Sequence, residues 1–155
     1  MNGIVFSFFI ITADEEKIDL IGNQLIGTIP PEIGNLFNLR VLHLLQNDLT
    51  GTIPSEFGNL FHLEDLWLRE NRLTGTIPSE IGRCRRLMKL QTDVNDLTGT
   101  IPPEIFNCAR LKQIRLSNNL LTGTIPTNVH QLQEIEMCKY TSKYDLTTPE
   151  SDFSN

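Results

Sequence analysis

Residues 73–82 read LTGTIPSEIG, and the shorter phrase GTIP begins at five places in the chain. These places are Gly27, Gly51, Gly75, Gly99 and Gly123, each 24 positions after the one before. A fixed period of about 20 to 50 residues is typical of proteins that stack similar structural units. The repeat therefore predicts the architecture before any single residue is considered.

Each repeat combines a short strand with a turn. In residues 63–86, Leu66 and Leu68 alternate with Trp67 and Arg69, which is typical of a strand with one buried face. Glycines and prolines after the strand interrupt any longer regular element. The few apolar side chains of one repeat cannot offset the cost of ordering its whole backbone. We therefore expect each repeat to bury its apolar edge on the next.

An asparagine recurs at one place in the period, where the chain turns out of each predicted strand. Its amide group both donates and accepts hydrogen bonds, so it can satisfy backbone groups of adjacent turns. We interpret this column as a structural ladder along the stack, formed by Asn23, Asn47, Asn71, Asn95 and Asn119.

The pattern LxxLxLxxNxLTGxIPxxIGxL, found in residues 63–84 with Cys84 at its last position, resembles the plant-type leucine-rich repeat. The resemblance covers about residues 15–140. It implies an α/β solenoid, a right-handed superhelix with a parallel β-sheet on its concave face and short extra strands and 3₁₀ turns on its convex side. Members of this family include receptor-kinase ectodomains, receptor-like proteins and inhibitors of pectin-degrading enzymes. The resemblance therefore implies a non-enzymatic binding function.

The pattern divides the chain into three parts. Residues 15–140 form the repeat domain, with about five coils and a partial sixth strand. Residues 141–155 are polar and irregular, as expected of a tail or partial cap. Residues 1–14 contain the apolar run GIVFSFFIITA. This run fits a signal peptide, an apolar cap on the first coil, or a decayed half-repeat. Paired-cysteine caps, common in family ectodomains, are missing, so the chain resembles a fragment or a minimal relative of a longer receptor.

One departure inside the repeats concerns Thr92, which replaces the second strand leucine in the fourth repeat. We expect that coil to be the least stable one.

The predicted ligand-binding surface is the outward face of the strands, because outward residues vary between repeats whereas inward ones are alike. The central outward positions run Asp19, His43, Trp67, Gln91, Arg115 and Lys139. The only tryptophan lies near the middle, and Trp and Arg dominate binding hot spots. The alternative is that the Trp67 ring only packs over its outward neighbours. The predicted binding residues are His43, Asp65, Trp67, Arg69, Lys89, Gln91, Asp93 and Arg115.

The charge distribution points to a second surface. The net charge of −6 and pI near 5.0 disfavour nucleic-acid binding. Between Arg83 and Arg115, however, seven basic residues stand against three acidic ones. We group Arg86, Arg110 and Lys112 as a basic ridge that would hold an acidic protein surface or a polyuronate chain. The alternative is an ordinary solvated edge.

The remaining chemistry-bearing residues favour structure over catalysis. Cys84 and Cys108 fall in a column otherwise held by leucine, so we expect buried thiols. In an oxidising compartment, a disulfide between them is the alternative. Cys138 is predicted to point inward from the last strand. The three histidines lie at different places in the period, and no catalytic motif, metal site or cofactor site is recognisable.

These observations predict a recognition module for a protein or peptide, in cell-surface or extracellular signalling or defence. A co-receptor or an acidic polysaccharide is an alternative partner, and nucleic acid is excluded. Membrane association would come only through an N-terminal anchor or a missing parent domain. The alternative functions are a structural segment of a larger ectodomain without its own ligand, and an inhibitor-type binder of wall polymer or of a wall-degrading enzyme.

Overall fold

The computed structural model describes residues 4–5, 15–124 and 134–136. The chain forms a solenoid of stacked coils with parallel sheets and 3₁₀ turns, which confirms the predicted fold class. In the part of the chain described, the helical component consists of 3₁₀ turns alone.

The main sheet is built from one short strand of each coil. The strands are β2 (Lys17–Asp19), β4 (Val41–His43), β6 (Asp65–Trp67), β7 (Lys89–Gln91), β9 (Gln113–Arg115) and β11 (Glu134–Glu136). They are parallel and stand in the order β11-β9-β7-β6-β4-β2. From β2 to β9 the pairing follows the repeat period, so that Leu42, Leu66, Leu90 and Ile114 stand in one row. This row points inward and is fully buried.

A second series of very short strands forms two smaller parallel sheets. It consists of β1 (Ile4–Val5), β3 (Leu25–Thr28), β5 (Asp48–Thr50), β8 (Thr98–Gly99) and β10 (Leu120–Leu121). Strands β1, β3 and β5 form one parallel sheet, and β8 pairs with β10. An isolated bridge between Thr52 and Thr74 carries the same pairing across the middle coils.

The 3₁₀ turns occupy Pro31–Asn35, Ser55–Asn59, Ser79–Arg83 and Pro103–Asn107, and each begins just after a proline. The glycine in the first three turns is required by close stacking. A Cβ added at Gly82 would lie 2.2 Å from the backbone oxygen of Glu104 in the next coil. In the fourth turn Phe106 takes this glycine's place.

The last strand departs from the predicted register. The repeat period places Lys139 beside Arg115, but the structure pairs Glu136 with Arg115. The expected strand at Cys138 and Lys139 was therefore wrong by three positions, and both residues lie outside the described part of the chain.

One continuous apolar core runs from Ile18 to Leu121. Cys84 and Cys108 lie in it as free thiols, fully buried. Their sulfurs donate to the carbonyl oxygens of Phe57 and Ile81, 3.1 and 3.5 Å away. Burial raises the pKa of the Cys84 thiol to about 12 and that of Cys108 to about 11. Both thiols are therefore protonated and unreactive in the folded chain.

The asparagine column bonds neighbouring coils together. The Asn71 side-chain oxygen accepts from the Leu49 backbone N–H at 3.1 Å. Its amide nitrogen donates to the carbonyls of Leu44 and Leu68 at 2.9 and 3.0 Å. The residue just before each ladder asparagine from Asn47 to Asn119 has a positive φ, as at Val94 with φ 57°.

Of the first fourteen residues, the structure describes only Ile4–Val5, whose backbone pairs in parallel with Leu25 and Ile26. The three interpretations of residues 1–14, and the boundaries of the predicted parts, remain predictions. The predicted tail at 141–155 lies outside the described residues.

Candidate binding surface on the concave sheet

Strand pairing places six of the eight predicted binding residues in two rows on one face of the main sheet, whereas Arg69 and Asp93 follow the ends of β6 and β7. The first row contains Asp19, His43, Trp67, Gln91 and Arg115, which are paired neighbours across five strands. The second row contains Lys17, Val41, Asp65, Lys89 and Gln113. Both rows follow from the alternation of side chains along each strand, because the residue between them points into the core.

The centre of the surface is a stack of two rings. The ring centroids of His43 and Trp67 lie 3.8 Å apart with an angle of 9° between the planes. The Lys89 ammonium lies 5.8 Å from the centre of the Trp67 ring, within the range of a cation–π contact. Trp67 is therefore half-buried between its neighbours. It lies at the centre of the surface, as predicted, and its ring also packs against outward side chains, as the alternative interpretation predicted.

His43 is more enclosed than an outward strand position suggests, with 8% of its surface exposed. Its Nδ1 lies 3.5 Å from the Asp19 carboxylate, too far for a well-formed hydrogen bond. Burial lowers the pKa of His43, and the nearby carboxylates of Asp19 and Asp65 oppose this shift only in part. His43 is therefore neutral at pH 7 and can both donate and accept a hydrogen bond.

Several polar atoms at this centre are buried and have no hydrogen-bond partner among the described residues. They are the Trp67 Nε1, the Asp65 Oδ1 and both ring nitrogens of His43. Buried polar side chains in proteins are nearly always paired, so each exception asks for an explanation. Together these atoms offer a donor, an acceptor and a group that can act as either, within two adjacent strands.

Residues beside this centre satisfy one another. Lys89 lies 3.4 Å from Asp65, and Gln91 donates to the Gln113 side chain at 3.0 Å. Arg69 lies 3.6 Å from Asp93, and it also pairs with Glu70. These contacts hold the side chains around Trp67 in place rather than leaving them free for a ligand. Glu70 was not among the predicted site residues. It lies just beyond strand β6, at a turn position with left-handed backbone, where the strand alternation no longer applies.

The structure does not bring the basic ridge together with the tryptophan. Arg86, Arg110 and Lys112 are exposed and lie between the 3₁₀ turns and the main strands. The ridge is therefore a separate surface on the edge of the solenoid.

Within the described residues, no group of three or more His, Cys, Asp or Glu side chains is arranged to hold a metal ion. A helix with the length and apolarity to cross a membrane is likewise not found in that part of the chain.

The family model described as Leucine Rich Repeat matches residues 16–36, 38–60, 62–84 and 110–132, more than half of the sequence. The chain therefore belongs to the leucine-rich repeat family. That model describes a structural repeat and not a catalytic domain. The matched segments leave out residues 85–109, the repeat in which Thr92 replaces a strand leucine. No curated protein sequence matches the chain significantly.

Solved structures of several plant proteins are similar to the chain. The ectodomain of the Arabidopsis thaliana membrane receptor kinase GASSHO1/SCHENGEN3, solved with CASPARIAN STRIP INTEGRITY FACTOR 2, is 41% identical with a TM-score of 0.75. The plant peptide hormone receptor RGFR1, solved with RGF2, is 34% identical with a TM-score of 0.73. A plant ice-binding protein is 35% identical with a TM-score of 0.71.

Each of these matches covers 77% of this chain. It covers only 15% of the first receptor chain, 20% of the second and 39% of the ice-binding protein. The chain thus spans a small part of the length of these relatives.

Proposed function

We propose that the chain is a non-enzymatic recognition module that binds an extended peptide or protein segment across its concave sheet, with Trp67 at the centre. The observation that carries this proposal is the group of buried, unpaired polar atoms around the stacked rings of His43 and Trp67. Leaving such atoms unpaired costs about 1 to 3 kcal/mol each. Because neighbouring side chains cover these atoms, a ligand can pair them only if those side chains rotate on binding, and it then recovers part of that free energy.

A peptide backbone fits these atoms because it carries both N–H donors and carbonyl acceptors. Asp65 would accept from a ligand amide, the indole of Trp67 would donate to a carbonyl, and neutral His43 would do either. The five strands from β2 to β9 span about 19 Å at about 4.8 Å per strand, which corresponds to about six extended residues. The surface is an open sheet, and an extended segment covers such a surface better than a small molecule does.

The similar structures support the same class of function. Two of these proteins are receptor ectodomains or receptors in complex with named factors, and one is called a peptide hormone receptor. We therefore propose that the chain works at the cell surface or outside the cell, as part of a receptor-like ectodomain in signalling or defence. A co-receptor protein is the other partner that this context favours.

The test uses a displayed library of random heptapeptides, selected on the full chain at pH 7. We expect selected peptides to lose more than about tenfold in affinity to Trp67→Ala, because central aromatic residues dominate interface energetics. The emission of the single tryptophan should also shift on binding. Leu120→Ala is the matched control, since Leu120 is an exposed apolar residue on β10, away from the main sheet.

Both variants should show a single cooperative melting transition above the assay temperature, so that a loss of affinity does not reflect a loss of folding. Peptides that bind Trp67→Ala as tightly as the parent would refute the concave site. A library without any binder would favour the alternative function, a structural segment of a larger ectodomain.

A second candidate function is binding to ice, favoured by a regular array of threonines along the short strands. Thr50, Thr74, Thr98 and Thr122 each donate to a glycine carbonyl of the preceding coil, at 3.2 to 3.4 Å. Their hydroxyl groups are therefore oriented alike, on strands about 4.8 Å apart. Nine exposed threonines form the array: Thr28, Thr50, Thr52, Thr74, Thr76, Thr98, Thr100, Thr122 and Thr124.

A lattice of hydroxyl and methyl groups at constant spacing can order water molecules, and one similar structure is a plant ice-binding protein. If the array binds ice, the chain should slow ice recrystallisation. The double variant Thr52→Lys with Thr74→Lys should abolish this effect, because these residues are bridge partners in the middle of the array. Trp67→Ala should leave it unchanged. Parent chain that does not slow recrystallisation would rule out this function.

A further inference from the structure

The edge between the 3₁₀ turns and the main sheet carries two exposed phenylalanines. Phe37 is 54% exposed and Phe61 is 55% exposed. They lie one full period apart, each four positions before one of the paired strand residues Val41 and Asp65, so they occupy the same place in adjacent coils. Two large aromatic side chains side by side on a surface are typical of an interaction site.

The same edge turns from aromatic to basic in the next two coils. Arg85 takes the place of Phe61 one coil further on, and the exposed Arg86, Arg110 and Lys112 lie beside it. Arg83 is also exposed, at the end of the adjacent 3₁₀ turn. The surface therefore has an aromatic half and a half with five positive charges, and we refer to it as the aromatic–basic edge.

The charges of this edge are not neutralised within the described structure. Elsewhere, described cationic side chains pair with carboxylates, as Arg40 does with Glu64 at 2.9 Å and Arg72 with Asp48 at 2.7 Å. None of the five cationic side chains of the edge makes an ion pair within the described ranges. Arg85 instead donates to the Asn107 carbonyl oxygen at 3.0 Å. On a chain with a net charge of −6, five such positive charges form a distinct electrostatic feature.

We propose that the aromatic–basic edge is a second binding surface, which recognises an extended protein segment with apolar side chains at one end and carboxylates at the other. Charge complementarity selects carboxylates, because guanidinium groups pair with them through two hydrogen bonds. The two phenylalanines supply the apolar contact, which distinguishes a protein segment from an acidic polymer without apolar side chains. This surface is independent of the concave site around Trp67.

The spacing of the coils sets the length of the segment. The edge from Phe37 to Arg110 crosses four coils, so it spans about 14 Å at about 4.8 Å per coil. An extended segment covers that distance with about five residues. Its apolar end would lie on Phe37 and Phe61, and its carboxylates would reach Arg86 and Arg110.

The test uses a synthetic probe with two phenylalanines, one glycine and four glutamates, labelled for fluorescence anisotropy and titrated with the full chain. We expect it to bind at least about tenfold more tightly than a probe with glutamine for glutamate or with serine for phenylalanine. Affinity should fall with rising salt, because exposed charge pairs are screened.

Matched variants locate the contact. The double variant Arg86→Gln with Arg110→Gln should weaken binding by about tenfold or more, and so should Phe37→Ser with Phe61→Ser. Arg72→Gln removes an exposed arginine outside the edge and should change affinity less than about twofold. Trp67→Ala should have no effect, which separates this surface from the concave one.

Three outcomes would overturn the proposal. Equal binding of the acidic probe by the parent chain and the Arg86/Arg110 variant would show that the ridge is an ordinary solvated edge. Tighter binding of polygalacturonate that depends on the arginines but not on the phenylalanines would assign the edge to an acidic polysaccharide. Self-association of the parent chain in sedimentation, lost in the Phe37/Phe61 variant, would make the edge an interface between two copies.

Discussion

Removal of one amide from the middle of the asparagine ladder tests how the coils are held together. In Asn71→Ala, the Leu49 N–H loses its acceptor, the Asn71 Oδ1. The carbonyls of Leu44 and Leu68 lose one donor each but keep another, because Asn47 and Asn95 also donate to them. The variant therefore leaves one buried donor unpaired and removes two further buried bonds.

The magnitude follows from these contacts. An unpaired buried N–H costs about 1 to 3 kcal/mol, and each further lost bond costs about 0.5 to 1.5 kcal/mol. We expect Asn71→Ala to lower the free energy of unfolding by about 4 kcal/mol. For a chain of this length, that corresponds to a decrease in melting temperature of roughly 8 to 16 °C.

The chain contains its own control at the first ladder position. Asn23 is exposed, and its amide nitrogen donates to the Ile21 carbonyl two residues before it. Asn23→Ala removes the same chemical group but leaves no buried donor without a partner, so we expect a cost below about 1 kcal/mol.

Urea unfolding, followed by the fluorescence of Trp67 and by far-ultraviolet circular dichroism, measures both variants. Coincident transitions from the two probes would justify a single free energy of unfolding. Equal, small effects of Asn71→Ala and Asn23→Ala would refute the reasoning, because the ladder would then contribute nothing beyond local turn formation.

Five further substitutions test other features of the structure. Thr92→Val should raise the free energy of unfolding by about 1 kcal/mol, measured by urea unfolding, because the Thr92 hydroxyl is fully buried and unpaired. Val94→Asn should also stabilise by about 1 kcal/mol in the same assay, since a β-branched residue at φ 57° is strained. Gly82→Ala should destabilise by about 3 kcal/mol through overpacking, whereas Gly22→Ala, with no atom within 4 Å of the new Cβ, should cost only about 1 kcal/mol of backbone strain. Burial lowers the pKa of His43 below its unfolded value, so stability is complete above about pH 6.5 and decreases as the pH falls below it. His43→Gln should remove that decrease in the urea midpoint between about pH 7.5 and about pH 5.5. The predictions for Thr92, Val94 and Gly82 fail if the variant moves the urea midpoint in the opposite direction or not at all. The prediction for His43 fails if the midpoint of His43→Gln falls with pH as much as that of the parent chain.

The repeat period predicted the stacked coils and the outward residues of each strand, and the resemblance to plant-type leucine-rich repeats added the parallel sheet on the concave face. Stacked units with a constant period must align equivalent positions, so Asp65 comes beside Lys89 and Trp67 beside Gln91 without further information. The inward leucines follow from the alternation along each strand, because one face of every strand is buried.

The contacts among the outward side chains depended on the tertiary structure. Periodicity does not reveal that His43 stacks on the ring of Trp67, or that Arg69 is held by Asp93. These contacts result from the sizes and rotamers of neighbouring side chains, which differ from coil to coil. Only these side-chain contacts show which polar atoms at the centre of the sheet are left unpaired.

The last repeat and the aromatic–basic edge likewise could not be predicted from the repeat period. The sequence period extrapolated the final strand to Lys139, but the strand lies at Glu134–Glu136. An apolar residue such as Phe61 could equally have been part of the core, since its exposure depends on which way the turn after the 3₁₀ segment directs it. The repeat period thus determines which residues become neighbours. Local packing decides which of these residues keep an unpaired charge, an exposed apolar surface or an unpaired hydrogen-bonding group.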